Sequence, residues 1–205
     1  MSQTISCRPA RSPFRLGLTI LAGILSIAAM IGLAIYGSYL HSIAENQRKQ
    51  RAREVESCQQ VKAGESQVTV YGTPEILEML VADPDCVRNL ESVYFFICDL
   101  SDPRYEMLTK LTNVDEIGIY DCQGLNVFLS NIAGMASLKS VYFEAIFIED
   151  EVLKRLVAFP NLERVHFERR LDVPELQVLR QSLPHATIEY TDGLGKSIVE
   201  QPDKP

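Results

Sequence analysis

Short apolar triplets recur along the chain at a nearly constant interval. Val93-Tyr94-Phe95, Ile117-Gly118-Ile119, Val141-Tyr142-Phe143 and Val165-His166-Phe167 stand 24 residues apart each time, and Leu90, Val114, Leu138 and Leu162 each lie three positions earlier. Val68-Thr69-Val70 comes 25 positions before the first triplet, and Ile188-Glu189-Tyr190 comes 23 after the last. Apolar side chains at alternate positions mark a strand with one buried face. The pattern therefore predicts six short strands. Between them, apolar residues fall three or four apart: Ile76, Leu77 and Leu80; Tyr105, Leu108 and Leu111; Leu129 and Ile132; Val152, Leu153 and Leu156; Leu176, Leu179 and Leu183. That spacing predicts short helices with one apolar face. Asp102, Asn126 and Asp150, again 24 apart, are placed to accept hydrogen bonds from the first amides of such helices. Pro74 and Pro103 suit a first helical position, while Pro84, Pro160 and Pro184 stand where helices must stop.

Each unit thus reads as strand, turn and short helix, which buries little alone and must stack on its neighbours. The stack predicted is a right-handed curved ribbon with a parallel sheet on its inner face. In register, the units resemble the leucine-rich-repeat family, whose consensus is L-x-x-L-x-L-x-x-N/C-x-L. Leu90, Val93, Phe95, Cys98 and Leu100 fit every position. Val114, Ile117, Ile119 and Cys122 fit until Gly124 takes the last place. Leu138, Val141, Phe143, Ile146 and Ile148 lose the Asn/Cys, as do Leu162, Val165, Phe167 and Arg170. Cysteine there, with Leu100-x-Asp102 and Ile148-x-Asp150 following, is similar to the cysteine-containing, ribonuclease-inhibitor-like branch. The resemblance covers about 65–192 and implies an α/β fold, a short leucine-rich-repeat solenoid of about six strand–helix units. It says almost nothing of the partner, because such folds host many functions.

A different pattern rules the N-terminal third. Leu16 to Tyr36 is a run of 21 residues without a charge, about 30 Å as a helix, the thickness of a bilayer's hydrocarbon core. A cleaved signal peptide is the alternative, but its apolar region is usually about 7–15 residues and ends in a small-residue site. The run predicts a single-pass anchor over 16–37, after a basic tail, 1–15. Arg8, Arg11 and Arg15 stand closer to it than Arg48, Lys49, Arg51 and Arg53 do, which places the N-terminus in the cytoplasm and the repeats outside. Residues 38–64, polar and without proline, read as a helical or flexible stalk ending near Gly64. A disordered tail is expected over 193–205.

Charge sharpens the picture of partners. Residues 1–64 carry a net +5 and residues 65–192 a net −12, within a total of −7. So acidic a repeat section repels phosphate backbones, which argues against nucleic acid and for basic proteins or peptides. No nucleophile elbow, phosphate loop or zinc-protease helix is present, and His41, His166 and His185 have no partner at a catalytic or ligating spacing. Gly193-Leu194-Gly195-Lys196-Ser197 lacks the full phosphate-loop spacing. No enzyme activity, cofactor, metal or small-molecule substrate is therefore expected. Cys98 and Cys122 hold equivalent places on adjacent units. They read as buried apolar side chains or, alternatively, as a disulfide, although neighbouring parallel positions suit disulfide geometry poorly. Cys58 and Cys86 would be free to pair in an oxidising compartment.

Alternation also predicts what faces outward. If Val93 and Phe95 point inward, one outward row is Thr69, Tyr94, Gly118, Tyr142, His166 and Glu189. The second is Tyr71, Phe96, Tyr120, Glu144, Glu168 and Thr191, with Asp121 adjoining. Exposed aromatics alone reflect the general liking of strands for them. Grouped on one rigid face, they make a contact patch for a protein or peptide. The residues expected to bind are Tyr71, Tyr94, Phe96, Tyr120, Asp121, Tyr142, Glu144, His166 and Glu168, with Glu144 and Glu168 selecting a basic group. The other reading is a structural or assembly subunit of a membrane complex, held by its transmembrane helix.

Overall fold

The computed structural model describes residues 13–144, 148–192 and 195–202, and the side chains of these apart from 13–29, 34 and 47. It divides into two units, 1–52 and 53–205. In the first, a single helix, α1 (Pro13–Lys62), begins and runs on beyond it. Met30, Ile31, Leu33, Ile35, Tyr36, Tyr39 and Leu40 are exposed there. Among the residues searched, no helix is long and apolar enough to cross a membrane. The uncharged run Leu16–Tyr36 lies chiefly outside the residues whose side chains are described, and most of the basic tail 1–15 lies outside the described residues altogether.

The second unit is an α/β structure around one sheet of seven strands, in sequence order and parallel apart from the last. The strands are β1 (Gln67–Tyr71), β2 (Ser92–Phe96), β3 (Glu116–Tyr120), β4 (Ser140–Glu144), β5 (Arg164–Phe167), β6 (Thr187–Thr191) and β7 (Ser197–Glu200). Val68, Val93, Ile117, Val141, Val165 and Ile188 lie side by side across β1 to β6, so the interval of two dozen residues is one strand-to-strand step. The connections hold α2 (Glu75–Ala82), α3 (Pro84–Asn89), a 3-10 segment (Pro103–Lys110), α4 (Leu125–Asn131), α5 (Asp150–Arg155) and α6 (Val173–Ser182). Inward strand residues and the apolar faces of these segments form a continuous core. Phe95, Tyr105 and Phe128 meet edge to face in it at centroid distances of 5.4, 5.4 and 5.8 Å.

Within this second unit, amide side chains tie successive segments together. Asn89, Asn113 and Asn161 donate through Nδ2 to the carbonyls of Val61, Arg88 and Ala136 at 2.9, 2.7 and 2.7 Å. This second series of asparagines stands just before the first apolar position of its repeat and was not singled out in the sequence. The end of α1 belongs to the same core. Val61 is fully buried, and Gly64, at φ 109°, closes the helix. The amides of Gly64 and Glu65 there return to the carbonyls of Val61 and Gln60, an ending that only a left-handed residue permits.

Several expectations need correction. Asp102 does cap its segment, accepting from the Arg104 amide at 2.9 Å, but Asn126 and Asp150 cap nothing. Asn126 lies inside α4, whose cap is Gly124 at φ 76°, and Asp150 is the first residue of α5 behind an extended Glu149. Gly124 is required there because a Cβ would stand 2.6 Å from the Ser101 amide nitrogen; the same crowding removes the apolar residue the repeat would otherwise carry. Pro84 does stand just past the end of α2, which stops at Ala82, and it also begins α3, capped by Asp83. The tail expected to be disordered carries β7, antiparallel to β6. Its four residues are too few to show an alternation, and Ile198 packs on the core. Residues 193–194 and 203–205 of that tail lie outside the described residues.

Leu156, fully buried beside α5, tests the packing. Leu156→Ala is expected to cost about 2–5 kcal/mol, the usual range for a truncated core leucine, read as a fall in the melting midpoint.

Candidate functional site

The outward rows lie where alternation puts them. Thr69, Tyr94, Gly118, Tyr142, His166 and Glu189 are register partners across β1 to β6, and Tyr71, Phe96, Tyr120 and Glu144 are partners across β1 to β4. Glu168 follows β5 directly, its amide bonded to the Phe143 carbonyl at 2.9 Å. The rings do not keep to their rows. Tyr71 meets Phe96 at 5.5 Å, Phe96 lies flat on Tyr120 at 4.1 Å and 4°, Tyr120 stacks on Tyr142 at 5.3 Å, and Tyr142 stacks on His166 at 4.4 Å and 9°. The aromatic path thus crosses from one row to the other between β3 and β4 and covers five strands.

Gly118 makes this possible, and sequence reasoning did not single it out. A Cβ there would stand 2.4 Å from Tyr94 Cδ1 and 2.8 Å from Tyr120 Cε2. The two rings close over the bare glycine, which is buried while its row neighbours are half-buried. Tyr94 also donates its hydroxyl to Glu116 Oε1 at 2.5 Å. Burial, and then this bond, push the Tyr94 phenol up to about 12.

Carboxylates line the far half. Tyr142 donates its hydroxyl to Glu168 Oε2 at 2.8 Å, and its acidity is weakened by burial and then by that carboxylate. Glu144 is held above the ordinary glutamate range by burial, by a hydrogen bond with Glu168 and by that group's charge. Two carboxylates so placed repel whenever both are ionised. His166 Nδ1 lies 3.2 Å from Glu189 Oε2, and Arg164 Nε lies 3.6 Å from Glu189 Oε1. Among the described residues, Glu189 is therefore the acid of this face that has cationic company; Glu116, Glu144 and Glu168 make no ion pair.

The raised value of Glu144 fixes a sign. Its folded-state pKa lies above the unfolded one, so its contribution is complete below the unfolded value and is lost as pH rises through the folded value. Glu144→Gln should therefore raise the melting midpoint at pH 7, with the gain vanishing as pH falls below about 4, near the unperturbed glutamate value. An equal shift at both pH values would contradict the repulsion.

Asp121 stands apart from the rows. With φ 49° it turns out of β3, as Ile97 does after β2 with φ 53° and Gly72 after β1 with φ 75°. These three, with Asp99, line an open hollow of about 490 Å³ at the ends of the strands. Cys98 and Cys122, largely buried and free, also belong to its lining. The Cys98 amide donates to Cys122 Sγ at 3.3 Å, and the two thiols reach the carbonyls of Phe96 and Tyr120 at 3.3 and 3.2 Å. Among the described residues, no three His, Cys, Asp or Glu side chains converge so as to hold a metal ion. No protein-family model matches the chain, and it matches neither a curated protein nor a solved structure.

Proposed function

We propose that the chain is a membrane-anchored, non-catalytic interaction module, a short leucine-rich-repeat solenoid that holds a basic protein or peptide against the outward face of its sheet. The observation that carries this reading is the aromatic path Tyr71–Phe96–Tyr120–Tyr142–His166, which lies on the side of the sheet away from the helices. Tyrosines grouped near one another are among the side chains that dominate binding energy at protein interfaces, and Tyr120 and Tyr142 are half-buried here. The leucine-rich-repeat assignment rests on the consensus positions quoted above and on sequential parallel strands in register. The anchor rests on the uncharged run and on the large apolar residues from Met30 to Leu40 that α1 leaves exposed all round, since a helix apolar on every side needs an apolar surrounding. The nearer arginines assign the repeats to the extracytoplasmic side.

A photoreactive phenylalanine analogue at position 96 tests the reading, with the same analogue at Val157, exposed on the helical side, as the control. In the native membrane, irradiation should give a protein adduct from position 96 and none from position 157. Adducts from the helical side alone, or from neither position, would overturn it.

A further inference from the structure

The sheet is guarded at one edge and bare at the other. At the far edge β7 is four residues long and ends in Glu200, with Lys196 before it and Pro202 after it. Brevity, charge and proline are devices that keep a sheet edge from pairing with another chain. β1 has none of them: Gln67-Val68-Thr69-Val70-Tyr71 holds no charge and no proline, and it pairs with β2 without a bulge. We propose that β1 is where two copies of this chain join, pairing antiparallel about a two-fold axis at Thr69 to make one continuous sheet. The inference stands whether or not the outward face binds a partner.

The backbone decides which groups face out. The Ser92 amide donates to the Ser66 carbonyl at 2.9 Å, and successive residues of a strand turn their peptide groups to opposite edges. Ser66, Val68 and Val70 therefore turn theirs toward β2, and Gln67 and Thr69 turn amide and carbonyl away from it. Among the described residues, no strand lies on that side.

Side chains at this end are already covered. Asn89 binds the Val61 carbonyl as Asn113 and Asn161 bind those of Arg88 and Ala136. The end of α1 thus serves as the helical segment that precedes β1, and Val61, Val68 and Val70 are all buried. What β1 leaves open is main chain, and another strand is what satisfies it.

The residues name the occupant. With Thr69 opposite Thr69 of the second copy, the two exchange both main-chain bonds. Val68 then faces Val70, and Gln67 faces Tyr71, each twice, as a two-fold contact requires. Threonine and β-branched pairs are favourable cross-strand neighbours, and no like charges meet. Residues 65–192 carry a net −12, so two copies approach most easily where charge is absent. β1 is such a place, and β2 behind it is uncharged as well. A basic segment would find no carboxylate on either strand. The axis runs through the sheet, so both outward faces lie on one side and each aromatic path starts beside the seam at Tyr71.

The test uses the full chain in detergent micelles. Under oxidised glutathione, Thr69→Cys should give a covalent dimer whose digest holds two peptides joined through position 69. The Cα atoms of such a pair lie about 5.5 Å apart, within disulfide reach. Gln67→Cys mixed with Tyr71→Cys should cross-link at least tenfold more than either does alone. Val157→Cys, exposed on the helical side, should give no dimer joined through its own position. Thr69→Pro removes an amide that faces away from β2, the setting in which a strand tolerates proline. It should melt as the unaltered chain does and dimerise at least tenfold more weakly by sedimentation. Products joining 67 to 67 and 71 to 71, or a monomer at every concentration up to about 100 µM, would each overturn the proposal. So would a folded Thr69→Pro that dimerises undiminished, the result expected of copies held together by α1 alone.

Discussion

Replacing Tyr94, Tyr120 and Tyr142 together by serine is expected to abolish partner capture while the sheet survives. The three rings stand on the outward face, and none belongs to the buried core. What they give the fold is cross-strand contact, worth roughly 0.2–1 kcal/mol per pair, so the triple variant should lose about 1–3 kcal/mol and still melt cooperatively. What they give a partner is larger. Interface tyrosines that act as hot spots are worth about 2 kcal/mol or more each, and even with strong non-additivity the loss exceeds a hundredfold. Photo-adduct yield from position 96 and a thermal melt followed by circular dichroism report the two quantities separately. Undiminished adducts from a folded triple variant would refute the assignment of the face.

Gly118→Val should be nearly as damaging to binding by a different route. No tyrosine is removed. The new Cβ arrives 2.4 Å from Tyr94 and 2.8 Å from Tyr120, closer than packed carbons allow, so both rings must swing off the sheet. Tyr94 then leaves Glu116, and Tyr120 leaves its stacks on Phe96 and Tyr142. Valine itself suits a strand better than glycine does, which offsets part of the repacking cost. Stability should therefore change by no more than about 1–2 kcal/mol, while capture falls at least tenfold. Capture equal to that of the unaltered chain would mean that the stacked rings are not what the partner meets.

How much of this could be read from residues alone varies by element. The parallel register was legible because one buried face forces a period of two within each strand, and the 24-residue spacing then aligns Val93, Ile117, Val141 and Val165 without further information. The outward rows followed by the same rule. The crossing of the rings between rows did not, since it depends on how Tyr120 and Tyr142 lean along their strands, and no pattern of residue types encodes that. Gly118 was placed in its row but given no role: a glycine announces itself by nothing but the absence of a side chain, and its meaning comes from Tyr94 on the next strand. The helix caps went astray at Asn126 for a tertiary reason, the close approach of Gly124 to Ser101. Asp83 and Asp172 cap α3 and α6 outside the 24-residue series, where periodicity gave no pointer. Glu144 and Glu168 were anticipated as acids that select a basic group, and the structure adds that Tyr142 donates its hydroxyl to Glu168.

Residues one repeat apart are neighbours in one parallel sheet, with Tyr94 and Tyr120 folded over Gly118. Proton resonances of Gly118 test it most directly, in full-length protein labelled at glycine. Its α-protons should be shifted far upfield by the two rings, with cross-strand contacts to Tyr94 and Tyr142. Ordinary glycine shifts, and contacts confined to Ile117 and Ile119, would contradict it.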